Sequence, residues 1–262
     1  MNKATKLAST IGLTGCMALS AAQVVAQDHG WEFNVAPLYL WGKSIDAISA
    51  AGGRELPVDL TFKDEVLENL ESAYAIHFEA SNDKLTLFAE YNYANLEPSG
   101  GTSIGPIDVK ARIDFQDIMT EGGVTYAFAE TGSMRWEALG GLRYYKQHAE
   151  IKFSSNRPGN IPLPNKLRIG DSWVHPFAGL RVITQFNERW SLRLRGDYGY
   201  EDSDNSALHG IALFNYQFRG WGSAFFGYRY FDMDYQGSGK GLDEYAFDGD
   251  QQGPLIGLNL HF

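Results

Sequence analysis

The most reactive side chains in this sequence are its histidines. His148, His175 and His209 fall near the outer ends of segments with strand-like alternation, and acids crowd the adjoining stretches. An imidazole beside a carboxylate is the pairing that general acid–base hydrolysis requires. His148, however, has the parity of Leu142 and Tyr144, which turns it away from the charged face of its segment. His77 and Glu79 share a face, but positions two apart along a strand are roughly 7 Å apart, too far for a direct dyad. No serine stands in a recognisable nucleophile setting. The expectation is no enzyme and no catalytic residue, with a hydrolase working from the rim as the alternative.

Metal chemistry has one acidic stretch to draw on: Asp232, Asp234, Asp243, Glu244, Asp248 and Asp250. Carboxylate oxygens suit Ca²⁺ or Mg²⁺, and through such ions lipopolysaccharide. The spacing from Asp243 to Asp250 matches no defined calcium loop, so solvated acids are expected, with no metal and no cofactor. Arg157 and Lys166 offer a contact for lipid phosphates.

Strands must position these groups. Read with period two, the chain falls into about ten segments, near 31–45, 72–81, 84–96, 109–128, 134–152, 172–186, 189–201, 207–218, 222–236 and 251–262. Helical spacing is confined to Lys63–Leu70, where Val66, Leu67 and Leu70 share a face. Connections alternate between short ones (Asn82-Asp83, Glu130 to Ser133, Asn187-Glu188, Arg219-Gly220) and longer ones near 46–71, 97–108, 153–171, 202–206 and 237–250. Short turns at one end and long loops at the other are the pattern of a transmembrane barrel, with the long loops outside the cell. An even strand count leaves both termini at the short-turn, periplasmic end. Eight strands result if 202–206 and a neighbouring connection are read differently. Pro37, inside the first segment, removes one ladder donor and calls for a bulge.

The faces carry opposite chemistry. Trp190, Leu192, Leu194, Tyr198 and Tyr200 alternate with Arg193, Arg195, Asp197 and Glu201. A soluble, lipocalin-like barrel would hide the apolar face, whereas a membrane barrel must turn it outward. Aromatic residues favour the membrane: 36 of the 262 residues are Phe, Tyr or Trp, many near strand ends, as interfacial girdles require. Inward parity then collects Arg135, Arg143, Arg181, Arg193, Arg195 and Arg229 with Glu79, Glu90, Glu137 and Asp197. Buried charges must pair, so an ion-pair lattice that fills the lumen is expected. The alternative is a charged constriction in a narrow channel for small solutes.

Lys3 and Lys6, an apolar stretch to Val25 and the small residues Val24-Val25-Ala26 describe a signal peptide over 1–26, with the barrel domain over 27–262 and a mature start at Gln27. Leu13-Thr14-Gly15-Cys16 also fits a lipidation site, but the apolar run continues past it. Loss of the two signal lysines from 22 basic residues leaves 20 against 32 acids, a net charge of −12 that disfavours nucleic acid. Cleavage also removes the single cysteine, and with it thiol chemistry.

At the other end, Gly257, Leu260 and Phe262 sit in an alternating apolar strand that ends on an aromatic residue. This resembles the signal read by the barrel-assembly machinery, with Leu255 as a departure where a polar residue is usual. WEFNVAPLYLWG (31–42), LENLESAYAIHFEA (67–80), DSWVHPFAGLR (171–181), RWSLRLRGDYGY (189–200), GYRYFDMDY (227–235) and GPLIGLNLHF (253–262) together resemble small, porin-like Gram-negative outer-membrane barrels. The resemblance implies an all-β, closed, antiparallel up-and-down barrel in the outer membrane. Its expected partners are outer-membrane lipids, lipopolysaccharide and, during biogenesis, the assembly machinery. It implies no substrate and no oligomeric state. The function expected is structural or surface-interacting.

Overall fold

Period-two alternation becomes antiparallel sheet along almost the whole described chain. The computed structural model describes residues 30–51, 54–104, 107–155, 166–239 and 244–262. The expected leader, Cys16, Gln27, Arg157 and Asp243 lie outside them. Thirteen strands form one sheet: β1 (Glu32–Trp41), β2 (Ser44–Ala51), β3 (Arg54–Leu60), β4 (Leu70–Asn82), β5 (Leu85–Leu96), β6 (Ser99–Ile104), β7 (Ile107–Thr131), β8 (Met134–Ser155), β9 (Lys166–Gln185), β10 (Trp190–Asp202), β11 (Asn205–Arg219), β12 (Gly222–Gln236) and β13 (Tyr245–His261). Ten of them, in the order β1-β4-β5-β7-β8-β9-β10-β11-β12-β13, close on themselves through β1–β13. Closure matters in lipid, because an open sheet edge would leave backbone groups unpaired in hydrocarbon.

The three additional strands fall in stretches expected to be loops. β2 continues the line of β1 along β13, Trp41 facing Leu255 and Ser44 facing Gln252, and β3 pairs back onto β2. β6 folds onto the outer part of β7. These pieces extend the wall at the long-loop end. Sheet in water needs no continuous apolar face, so Ser44–Ala51 and Ser99–Ile104 carry little of the alternation that marks a membrane strand. A short helical turn covers Phe62–Asn69, where helical spacing was expected. The register of β1 on β13 slips between Val35 and Leu38, the bulge that Pro37 demands.

Burial is inverted relative to a soluble protein. Arg143 and Arg229 are fully buried, whereas Leu142 and Ile256 are 59% and 58% exposed. That decides against the lipocalin-like alternative: the apolar face meets lipid and the charged face fills the interior. Trp190, Tyr216 and Trp221 ring the short-turn edge of the lipid-facing belt; Tyr74, Tyr144, Tyr198 and Tyr228 ring the other edge. The start of β1 and the end of β13 lie at the short-turn end, where Phe33 and Phe262 exchange two backbone hydrogen bonds of 3.1 and 2.9 Å. At the seam between the first and last strands, a Cβ on Gly257 would strike the Leu38 carbonyl and the Phe225 ring, so only glycine fits.

Candidate functional site: a charged lumen

Strand pairing brings the inward face of every wall strand to a common axis. The register places Arg143 beside Glu121 and His175, Arg195 beside Arg181, and Asp197 beside His209. Two like-charged arginines face each other across β9 and β10, so each must find its carboxylates elsewhere. Long side chains solve this by crossing the barrel.

At the upper level, Glu121 on β7 receives Arg143 Nε at 2.8 Å and Arg195 Nη1 at 2.6 Å. Asp197 accepts from Arg143 Nη2 at 2.7 Å and Arg195 Nε at 2.7 Å, and its second oxygen lies 2.8 Å from His209 Nδ1. Two guanidinium groups and two carboxylates thus form an alternating square. Arg143 stacks 4.4 Å above the Phe177 ring, and Arg195 lies 5.1 Å from Phe88, so apolar faces cover the planes of both cations.

At the lower level, Glu79 on β4 binds Arg181 Nη1 at 2.8 Å and both amino groups of Arg193, at 2.8 and 3.1 Å. β4 and β10 are five steps apart in either direction around the ten-strand ring, so the Arg193–Glu79 pair joins opposite walls. Glu137 holds Arg135 at 2.8 Å and Arg181, and Arg229 pairs with Glu90. His77 bridges the two acids, 3.1 Å from Glu90 and 3.2 Å from Glu79. The contact with Glu79 corrects the expectation from strand spacing: the backbone positions are far apart, but both side chains are long enough to lean together.

The ten charged residues picked out by parity all find partners in the lumen, in two groups: Arg143, Arg195 and Asp197 with Glu121 above, and the other seven around Glu79, Glu90 and Glu137 below, where Arg135 and Arg193 keep about a third of their side chains exposed at the short-turn end. Three further members lie outside that inward set: Glu121, His77, which shares the face of Glu79, and His209, expected at the rim. Glu121 and His209 share parity with the inward residues Thr125 and Ala207 of their strands, and that signal alone would have found them. The histidines expected at the rim divide: His175 and His209 are fully buried in the lumen, while His148 stays on the outer face with Leu142 and Tyr144. For His175 the cause is simple: β9 begins at Lys166, nine residues before it, so His175 lies well inside the wall and not at its rim.

Above the charges lies a different layer. Trp173 stacks on Tyr235 with ring centroids 3.9 Å apart, and Tyr145, Phe231, Phe247, Met233 and Ile45 pack around them. Lys43, bonded to Asp117, and Gln147, bonded to Tyr245 at 2.7 Å, edge this layer, and the Trp41 ring lies 5.1 Å from the Lys43 ammonium and 4.6 Å from the Arg229 guanidinium. A cavity of about 530 Å³ opens at the short-turn end between Asn34, Arg193, Gln217 and His261 and extends up the lumen past Glu79 to Glu90 and Arg195. Leu260 ends the apolar row of β13, and Phe262 lines this mouth.

The outer surface is polarised. Asp59, Asp46, Asp250 and Asp232 stand directly opposite one another across β3, β2, β13 and β12, and Asp234 faces Asp248. On the far side of the ring, Arg112, Lys152 and Lys166 form a row, with Glu150 bonded to Lys166, Lys152 and Arg168. Lys166 contributes most to holding the Glu150 carboxyl down, at about 2. Among the described residues, no group of three or more His, Cys, Asp or Glu is arranged to hold a metal ion.

No protein-family model and no curated protein matches this chain. Solved structures do. The outer-membrane protease OmpT of Escherichia coli aligns with a TM-score of 0.57 at 9% identity, over 88% of this chain and 97% of that one. The translocator domain of the autotransporter NalP of Neisseria meningitidis gives 0.47 at 14% identity, over 93% of each chain. The attachment invasion locus protein Ail of Yersinia pestis gives 0.35 at 11%, over 89% of this chain and all of the other. At 9% identity the likeness to the protease carries the fold and none of the chemistry. The chain has the fold of the Gram-negative outer-membrane β-barrels, and its lipid-facing wall belongs in that membrane.

Proposed function

We propose that this protein is a closed, non-enzymatic outer-membrane barrel, a structural or surface-interacting scaffold for its long-loop end, with axial flow of ions blocked by the charged lumen. The observation that carries the reading is the Arg193–Glu79 pair, which ties opposite walls together across the axis. Guanidinium groups fill volume as well as neutralise carboxylates, so one lattice both closes the lumen and stiffens the wall. The stacked Trp173–Tyr235 layer supplies a second, apolar barrier. Nε2 of His175 and Nε2 of His209 have no side-chain partner among the described residues, so neither imidazole is matched to a nucleophile.

A second reading, a narrow channel, draws on the cavity, which opens one end of the lumen and reaches up to Glu90 and Arg195. Single-channel recording of the purified, refolded protein separates the two. The closed reading expects little or no steady conductance; a large, stable native conductance refutes it and promotes the channel.

A further inference from the structure

Between β1 and β4, backbone pairing stops part-way up the lipid-facing wall. The β1–β4 ladder comprises five pairs, from Glu32–Ser81 to Ala36–His77, and does not continue above them among the described residues. Pro37 follows at once; it has no N–H to donate and begins the bulge that turns β1 toward β13. The unpaired stretch is five residues on β1, Pro37 to Trp41, or roughly 15 Å, and seven on β4, Leu70 to Ile76, or roughly 23 Å. The helical turn Phe62–Asn69 closes the top of this interval, with the Phe62 ring 2.9 Å from where a Cβ on Gly42 would stand.

The interval lies within the lipid-facing belt. Leu40, Ile76 and Tyr74 beside it are 44%, 45% and 52% exposed on the outer surface. Strand edges at this depth are tolerated where they are buried in protein or line a cavity. Here side chains alone seal the gap: Tyr39 stacks on His77 with centroids 5.5 Å apart, and Ala75 packs against the cluster that includes Tyr39. Tyr39 and His77 also line the 530 Å³ cavity that opens at the short-turn end. The gap and the cavity therefore meet at two side chains.

We infer that the β1–β4 seam is a lateral port through which a small amphiphile, an apolar chain or ring with one polar head, passes between the outer membrane and the periplasm-facing cavity. The chemistry of the passenger follows from the two sides. Only an apolar body approaches past Leu40 and Ile76, whereas beyond Tyr39 and His77 the cavity offers Arg193, Asn34 and Ser223 to a polar head. The route leaves the barrel sideways, so it does not require the axis to open and does not rest on the closed-lumen reading. Opening this seam breaks no ladder; it costs the Tyr39–His77 stack and the contacts of His77 with Glu79 and Glu90.

The test is binding of a dansyl-labelled medium-chain fatty acid to the full protein in lipid nanodiscs, read by dansyl emission. The native protein should bind it saturably, and unlabelled fatty acid should displace it. Ala75→Trp from one edge and Leu40→Trp from the other should each weaken binding by at least about tenfold, about 1.4 kcal/mol. Folding of each variant is checked by retained heat-modifiable mobility. Gly210→Leu is the control, because a side chain there meets nothing within 4 Å and fills only the lipid-facing groove between Leu194 and Tyr228. No saturable binding to the native protein overturns the port whatever the variants do. Binding unchanged in both tryptophan variants also overturns it, as does binding lost in Gly210→Leu. So does a native dimer that Ala75→Trp dissociates, which would mean that a strand of a second copy covers the seam.

Discussion

Removing Arg195 tests the lumen most directly, because this side chain holds two buried carboxylates at once. Arg195→Ala takes away the 2.6 Å bond to Glu121 and the 2.7 Å bond to Asp197, and uncovers Phe88 and Phe177. Both carboxylates are fully buried, and Arg195 itself is only 8% exposed, so solvent screens little of the loss. Breaking a buried pair costs about 3–5 kcal/mol, since the stranded charge keeps its desolvation penalty. Arg143 remains within 2.8 Å of both acids, which places the cost at the lower end, about 3 kcal/mol. For a domain of this size that corresponds to a fall of roughly 6–12 °C in Tm. Conductance should rise in the same variant, because the alternating square has lost a corner. Circular dichroism melts and bilayer recording measure the two effects. Pairing Arg195→Met with Glu121→Gln provides the internal check: the double variant should lose less than the sum of the singles, because neither partner is left charged and alone. A Tm change below about 2 °C, or strictly additive singles, would mean that Arg195 is solvated and that the lattice does not hold the wall.

Closure and the outer rim supply two further predictions. Gly257→Val should lower the yield of folded barrel in the membrane while leaving export intact, because the new side chain meets the Leu38 carbonyl and Phe225 where β1 joins β13; deletion of Phe262, which removes its two bonds to Phe33, should act in the same direction. Equal outer-membrane levels of native and altered chains would show that this seam tolerates both losses. At the rim, the folded Glu150 carboxyl is lowered from 4.5 to about 2, so its pairing is complete above about pH 4.5 and is lost as pH falls toward 2. An NMR titration should place its midpoint near 2 in the native protein, with Lys166→Ala returning it toward 4.5; a native midpoint at 4.5 would refute the pairing.

Much of this molecule was legible as a sequence because lipid imposes a simple rule. Each wall strand must show hydrocarbon an apolar residue at every second position, so the alternation of Leu192, Leu194 and Tyr198 with Arg193, Arg195 and Asp197 reveals the strand and its charged face together. Strand identity, the two loop classes and the inward set from Glu79 to Arg229 follow from that local constraint. Above the membrane the constraint disappears, so β2, β3 and β6 carry no alternation that would distinguish them from loops. Nor does parity tell which charges meet. Arg193 and Glu79 are 114 residues apart, and only ring closure places them on opposite walls within 2.8 Å. His77 touches Glu79 because of rotamers rather than backbone spacing, and His175 lies inside the wall because β9 begins nine residues before it, at Lys166. The open interval beside Pro37 arises the same way: the proline announces a broken ladder, but only the registers of β1 on β4 and on β13 decide which neighbour is lost. Periodicity is a local property set by the surrounding solvent, whereas pairing across a lumen is a distance property that exists only once the sheet has closed.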